Sequence, residues 1–342
     1  MAELTNRIIA SFYGLAFGDA LGHPLSTLTY EELICDFPGG LDALEFEPGL
    51  KKYAVGDDTQ MALFTSLGMR NSISSETYRK DITQYLTFWF DDPQCNRHAS
   101  QHTLKALEKH KQGIHWTAAT NLSLNRCDVL ARGAAIAYWM ARDSECSQYW
   151  NLSFLQASIT HSHPTALVAS ALFTESLIWL LKKNSVQQLP AHLLMSLTAM
   201  EQCWLEKYVE NLWQLPGFSS PAEFLRKGIK KCRKKIEMVI RNVQNAEYAD
   251  LDPSALFGEG WTADEALAIA IYCFLQHCDS PEHAVKRAVL SNGPSDTLGA
   301  LTGALAGAWN GSEGWPSDWY TKIEYKEEIM EMSRIIGRGA VI

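Results

Sequence analysis

Apolar residues recur along this chain at intervals of three and four, the spacing that brings side chains onto one face of a helix. Tyr78, Ile82, Tyr85, Leu86 and Trp89 share such a face in YRKDITQYLTFWF, with Ser75 and Thr77 placed to cap its start. The same pattern predicts helices over TLKALEKH, ended by Gly113, and over 133–141, 166–183, 193–210, 221–245 and 263–277. No stretch sustains polar and apolar alternation with β-branched residues, so strands are expected to be absent or marginal. The most apolar run, Ala166 to Leu181, is broken by Ser170, Thr174, Glu175 and Ser176 and reads as a buried helix, not a membrane span. The expected fold is all-α, a single compact multi-helix globule, with 1–342 as one domain closed by its two ends.

Glycines give the two ends a shared signature. In NGPSDTLGALTGALAGAWNG, Gly299, Gly303, Gly307 and Gly311 recur every four residues, and Gly14, Gly18 and Gly22 do the same near the N-terminus. That spacing stacks bare backbone on one side of a helix, where a neighbouring helix can approach closely. Each such glycine costs a helix roughly 1 kcal/mol, so the space it leaves is expected to be used. Asp296, two residues after Pro294, reads as an N-cap whose carboxylate faces outward at the positive end of the helix dipole. Gly56-Asp57-Asp58-Thr59 stands directly before MALFTSLGM, so two more carboxylates open a second helix. An ordinary cap is the commoner role for any one of these aspartates.

The 342 residues are 46% hydrophobic and 20% charged, ordinary for a soluble protein with a large core, and the net charge of −9 excludes a general nucleic-acid footprint. One basic cluster, RKGIKKCRKK from Arg226 to Lys235, fits a solvated helix face. Eight cysteines (35, 95, 127, 146, 203, 232, 273 and 278) form no CxxC and no metal-ligand spacing, which suits reduced thiols in a cytoplasmic protein. The opening MAELTNRIIASFYG has neither the basic start nor the cleavage site of a signal peptide.

Loops carry the remaining candidates. In CDVLARG, Arg132 and Gly133 offer a cation and bare backbone at a helix start, a candidate anion seat. His161 and His163 precede a helix in ITHSHPTALVAS, where a structural role is the commoner one for either, and Gly258-Glu259-Gly260-Trp261 opens the helix from Ala263.

GDALG at 18–22, GDDTQMAL at 56–63, THxxP at 160–164, and SDT followed by GALTGALAG at 295–307 together resemble the ADP-ribosylglycohydrolases, the family of dinitrogenase reductase-activating glycohydrolase. Their order and spacing cover almost the whole chain, and GWPSDWYTKI resembles the family's closing segment. The resemblance implies an all-helical fold that removes ADP-ribose from modified side chains, arginine most commonly, with two divalent cations between the acidic helix mouths. It also implies ligand contacts from Thr59, Arg132, Gly133, His161, Gly260, Ser295 and Thr297. The departures are specific. Gly56 stands where the family has Ser or Thr, Pro294 where the Asp-x-Asp-Thr pattern has its first Asp, and Ser26 where a water-activating Glu is usual. The phosphate loop is degenerate over Ala131, Arg132, Gly133, Ile136 and Ala137.

Two functions are compatible with this pattern. One is an ADP-ribosyl hydrolase that works through Asp57, Asp58 and Asp296 and requires no metal, with a single Mg or Mn ion at Asp57, Asp58, Asp296 and Thr297 as the alternative. The other is an inactive relative that binds ADP-ribosylated protein or blocks a cognate ADP-ribosyltransferase. Three retained, crowded carboxylates favour the hydrolase. The expected partners are ADP-ribosylated protein and ADP-ribose, with neither nucleic acid nor a membrane.

Overall fold

The helix at the N-terminus and the one near the C-terminus lie against each other backbone to backbone. In the computed structural model, which describes residues 2–71, 77–94, 97, 99–142, 146–202, 210–248 and 251–338, these are α1 (Ala2–Gly22) and α15 (Ser295–Asn310). Between them come α2 (Tyr30–Asp36), α3 (Asp57–Asn71), α4 (Tyr78–Asp91), α5 (Gln101–Lys111), α6 (Trp116–Ala119), α7 (Gly133–Met140) and α8 (Cys146–Ser158). Then follow α9 (Pro164–Leu181), α10 (Leu189–Gln202), α11 (Pro221–Asn242), α12 (Pro253–Phe257), α13 (Ala263–Gln276) and α14 (Pro281–Val289), with α16 (Ser317–Lys322) and α17 (Lys326–Arg338) closing the chain. The described residues form no strand; two isolated parallel bridges, Tyr53 with Ile323 and Asn121 with His161, are the nearest approach to one.

The glycine spacing explains the α1–α15 contact. A Cβ built on Gly14 would stand 2.1 Å from the Gly303 carbonyl oxygen, one on Gly18 1.9 Å from that of Gly299, and one on Gly307 2.2 Å from that of Ala10. Only hydrogen fits at these positions, and the seam runs the length of both helices. Gly311 lies outside it: it ends α15 with φ +71, and nothing lies closer than 3.9 Å to a Cβ placed there.

α9 is the one described helix long and apolar enough to cross a membrane, and 94% of it is buried inside the protein. Glu175 is accommodated there by partners: Trp150 Nε1 donates to it at 2.9 Å, Ser196 Oγ at 2.6 Å, and His192 Nε2 lies 2.8 Å away. Element ends differ from expectation by a few residues. α9 begins at Pro164, because the His163 ring nitrogen accepts from Thr165 N and caps it. α11 stops at Asn242 and α13 at Gln276; the helix expected over 193–210 runs Leu189–Gln202, and 203–209 lie outside the described residues, as does Ser75. Thr77 does stand at the N-cap of α4. Cys35, Cys127, Cys232, Cys273 and Cys278 are free thiols.

Candidate active site

The seam brings Asp19 of α1 beside the start of α15, and α3 points its own start at the same place. Asp57 and Asp58 are the first two residues of α3, 8% and 2% exposed. Asp19, on the same α1 that carries Gly18 and Gly22, is wholly buried, and its Oδ2 accepts from Thr59 N at 2.9 Å and Thr59 Oγ1 at 2.6 Å. Asp296 completes the cluster. It lies within the first turn of α15 behind Pro294 at the N-cap, so it is not the cap residue; its Oδ1 accepts from Thr297 N at 2.8 Å, and its side chain is 14% exposed. His23 Nδ1 lies 4.0 Å from Asp296 Oδ2.

Burial, and then the charges around them, raise the proton affinity of Asp19, Asp57 and Asp58. Burial, then the charge of Asp296, pushes Asp19 up to about 7 against the hydrogen bonds from Thr59. Asp57 is raised well above the carboxylate range by burial and then by Asp296 and Asp19. Asp58 is raised by burial and then by Asp57, Asp19 and Asp296, with a hydrogen bond from the Thr297 side chain opposing. Two buried oxygens of the cluster, Asp19 Oδ1 and Asp58 Oδ1, have no hydrogen-bond partner. Such an oxygen calls for a proton or a cation.

A second polar group lies behind this one. Burial works against the charge of Asp128, but His161, Ser100 and Arg126 outweigh it and hold its pKa below the usual range. His161 Nε2 lies 3.5 Å from Asp128 Oδ1, Thr103 Oγ1 donates to Oδ2 at 2.9 Å, and Arg126 Nε lies 3.4 Å away. Arg132 is buried in this group. Its Nη2 donates to Thr160 Oγ1 at 2.7 Å, which also bonds His161 Nδ1 at 2.9 Å, while Nε and Nη1 have no partner. Burial lowers Arg132 to about 10, so it stays cationic, and Asp128 and Asp58 are the charges that oppose the shift.

Arg132, expected as an anion seat, is 1% exposed, and two of its guanidinium nitrogens are unpartnered. Gly133 cannot offer a free N–H, because it donates to Leu130 O at 2.8 Å, and its Cα face packs on α9, where a Cβ would meet Thr174 Oγ1 at 2.9 Å. Thr59 spends both its amide and its hydroxyl on Asp19. Ser295 is buried with its hydroxyl toward Ser291 O, 3.4 Å away. Gly260 is needed for its backbone, φ +80, and packs on Leu298. The loop it belongs to is held against the start of α15, since a Cβ on Gly293 would fall 1.8 Å from Glu259 O. That loop presents Trp261, 39% exposed, under the Arg126 guanidinium, 5.4 Å from the ring centroid.

Asp19, Asp128 and His23 went unnoticed in the sequence. A carboxylate inside the apolar run FYGLAFGDALG, between two seam glycines, was the available signal for Asp19.

The pair of cations implied by the resemblance lacks three of its expected side-chain donors here. Position 56 has no side-chain oxygen, and a Cβ on Gly56 would stand 2.5 Å from Asp19 Oδ1. Pro294 has no side-chain donor, and the Ser26 hydroxyl is turned to His23 O at 3.1 Å. Asp57, Asp58, Asp296 and Thr297 remain as oxygen donors, with the unpartnered Oδ1 of Asp19 beside them.

A sequence model of the ADP-ribosylglycohydrolase family matches residues 1–340. Among curated proteins the chain is 24% identical over 337 residues to the ADP-ribosyl-[dinitrogen reductase] glycohydrolase of Rhodospirillum rubrum, covering 94% of this chain and 92% of that one. It is 25% identical over 223 residues to the ADP-ribosylhydrolase ARH3 of Mus musculus, covering 60% and 54%. Among solved structures, an ADP-ribosylglycohydrolase-related protein complex superposes with a TM-score of 0.66 at 20% identity over 99% of both chains, a likeness of fold.

Proposed function

Because the chain belongs to the ADP-ribosylglycohydrolase family, we propose that it removes ADP-ribose from modified arginine side chains and does so with its own carboxylates, without a required metal. The observation that carries this reading is the pair of buried, unpartnered oxygens in a four-aspartate cluster at two helix starts. A guanidine nitrogen must be protonated to leave, and the raised pKa values of Asp19, Asp57 and Asp58 keep a proton in the cluster at neutral pH. As the bond from the anomeric carbon to nitrogen breaks, its electron pair stays on nitrogen, which takes that proton. An ionised aspartate accepts a proton from the water that adds to the anomeric carbon, so the products are arginine and ADP-ribose with the cluster's proton count restored. The starts of α3 and α15 favour the anionic partner through their dipoles. A single Mg or Mn ion, if bound by Asp57, Asp58, Asp296 and Thr297, would act as a Lewis acid at the same place.

The test is the rate of ADP-ribose release from ADP-ribosylarginine after exhaustive EDTA treatment, with magnesium and manganese then restored. The rate is expected to survive chelation. Loss that either ion reverses would return the reaction to metal chemistry, and no release under any condition would remove the arginine substrate. Calorimetry is expected to detect ADP-ribose binding; silence at millimolar ligand would count against a role in ADP-ribose recognition altogether.

Gly56 and Ser26, whose hydroxyl is bonded to His23 O, favour a second reading, in which the protein holds ADP-ribosylated protein, or occludes a cognate ADP-ribosyltransferase, without turnover. Binding without release in the same two measurements would select it.

A further inference from the structure

α11 carries the strongest local charge in an otherwise acidic chain. Its inward face, Phe224, Leu225, Ile229, Cys232, Ile236 and Val239, is buried, and Lys227, Lys230, Lys231 and Lys234 are exposed on the other side. Neighbouring cations of the same helix find carboxylates, Arg233 with Glu201 and Lys235 with Glu265, each at 3.5 Å. The four exposed lysines have no such partner within ion-pair distance among the described residues.

This helix is fixed to the loop that holds His161. Gly228 makes the contact: a Cβ there would stand 2.2 Å from Pro164 O and 2.9 Å from Thr165 N, so the backbones of α11 and the first turn of α9 touch. Lys227 therefore flanks the crossing point and Lys231 lies one turn further on, both beside the half-buried His163. Burial and then those two lysines lower His163 to about 4, which leaves it neutral and adds no charge of its own. Asp264 ties the same region to the Arg126 loop, accepting from Asn125 Nδ2 at 2.8 Å. The Lys227 end of the row thus stands next to the loop that carries His161, whose Nε2 lies 3.5 Å from Asp128, a charge that acts on Asp57.

We infer that the exposed lysine row of α11 docks an acidic segment of the ADP-ribosylated protein beside its modified side chain. This rests on the hydrolase reading and names the character of its protein substrate. An acidic segment complements the row, and the protein's net charge of −9 would otherwise repel it, so the local positive field decides which acidic surfaces approach and in which orientation. A nucleic acid would meet the same lysines but also the repulsion of the rest of the surface, over a row only one helix face wide.

The test uses the full chain, wild type and the variant K227Q/K230Q/K231Q/K234Q, whose changes are all on exposed side chains. Three substrates are compared: free ADP-ribosylarginine, an ADP-ribosylarginine peptide flanked by glutamates, and the same peptide flanked by glutamines. Wild type is expected to favour the glutamate peptide by about tenfold or more in kcat/KM at low salt, the preference fading as salt rises. The variant is expected to lose that preference and to keep its rate on free ADP-ribosylarginine. Equal use of both peptides by wild type, or an unchanged preference in the variant, overturns the inference. Stronger competition by a single-stranded oligonucleotide than by an unmodified glutamate peptide would also overturn it, in favour of a nucleic-acid surface. If wild type hydrolyses none of the three, the hydrolase reading fails, and the docking surface is then judged by fluorescence anisotropy of the labelled glutamate peptide, which should bind wild type and not the variant.

Discussion

Gly18→Ala is expected to lower the stability of this protein by about 3 kcal/mol or more, because the added carbon has nowhere to go. It would stand 1.9 Å from Gly299 O and 2.1 Å from Gly299 C, and a backbone carbonyl has no rotamer by which to yield. The helices α1 and α15 would have to separate, opening contacts along the whole seam. Native domains hold only about 5–15 kcal/mol in total, so a larger residue, Gly18→Val, is expected to leave no folded protein. The displacement also moves Asp19, the next residue, away from Thr59 and unmakes the carboxylate cluster. Thermal melting followed by circular dichroism measures the effect, with Gly303→Ala as a second probe, since its carbon would fall 1.9 Å from Gly14 O. A wild-type midpoint for both variants would show that the two helices are not in backbone contact.

The seam was legible in the sequence because a missing side chain is itself the structural feature, and a four-residue period needs no tertiary information to be placed on one helix face. The same holds for Asp57 and Asp58, which open a helix one turn ahead of the apolar run MALFTSLGM. The burial of Arg132 was not legible because it is decided elsewhere: α9 packs over Gly133, and the partner of the guanidinium, Thr160, comes from the loop before α9. Gly56 shows the limit most directly. Counted alone it is a lost oxygen donor, but its missing side chain makes room for Asp19 Oδ1, a carboxylate from another helix. Compensation of that kind, between residues distant in sequence, is visible only once the chain is folded. Asp296 read as a cap is a smaller case, since two residues of offset move it from the cap into the first turn, where it still meets the N-terminal dipole.

Asp58→Asn and Asp296→Asn are each expected to reduce the rate of ADP-ribose release by about 10²- to 10⁴-fold while leaving the helical fold intact. The amide keeps the shape of the carboxylate and one acceptor oxygen, but it neither carries a negative charge nor passes a proton. For Asp58 the stability effect has the opposite sign to the activity effect. Its folded pKa is raised, by burial first and then by Asp57, Asp19 and Asp296, so the native protein holds a proton that the unfolded chain releases above about pH 4. Stability therefore falls as pH rises from that point toward the folded value, and the asparagine, which has no proton to lose, escapes this loss. The Asp58→Asn protein should melt at or above the wild-type temperature at neutral pH, with the difference growing as pH rises above about 4. For Asp296, the first charge to act on Asp57 after burial, neutralisation is expected to ease the ionisation of Asp57. Rates and melting curves measured on the same preparations separate the outcomes. Full activity in both variants would move the chemistry away from this cluster, whereas lost activity with a lowered melting point in Asp58→Asn would mean that its carboxylate holds the fold together rather than carrying the reaction.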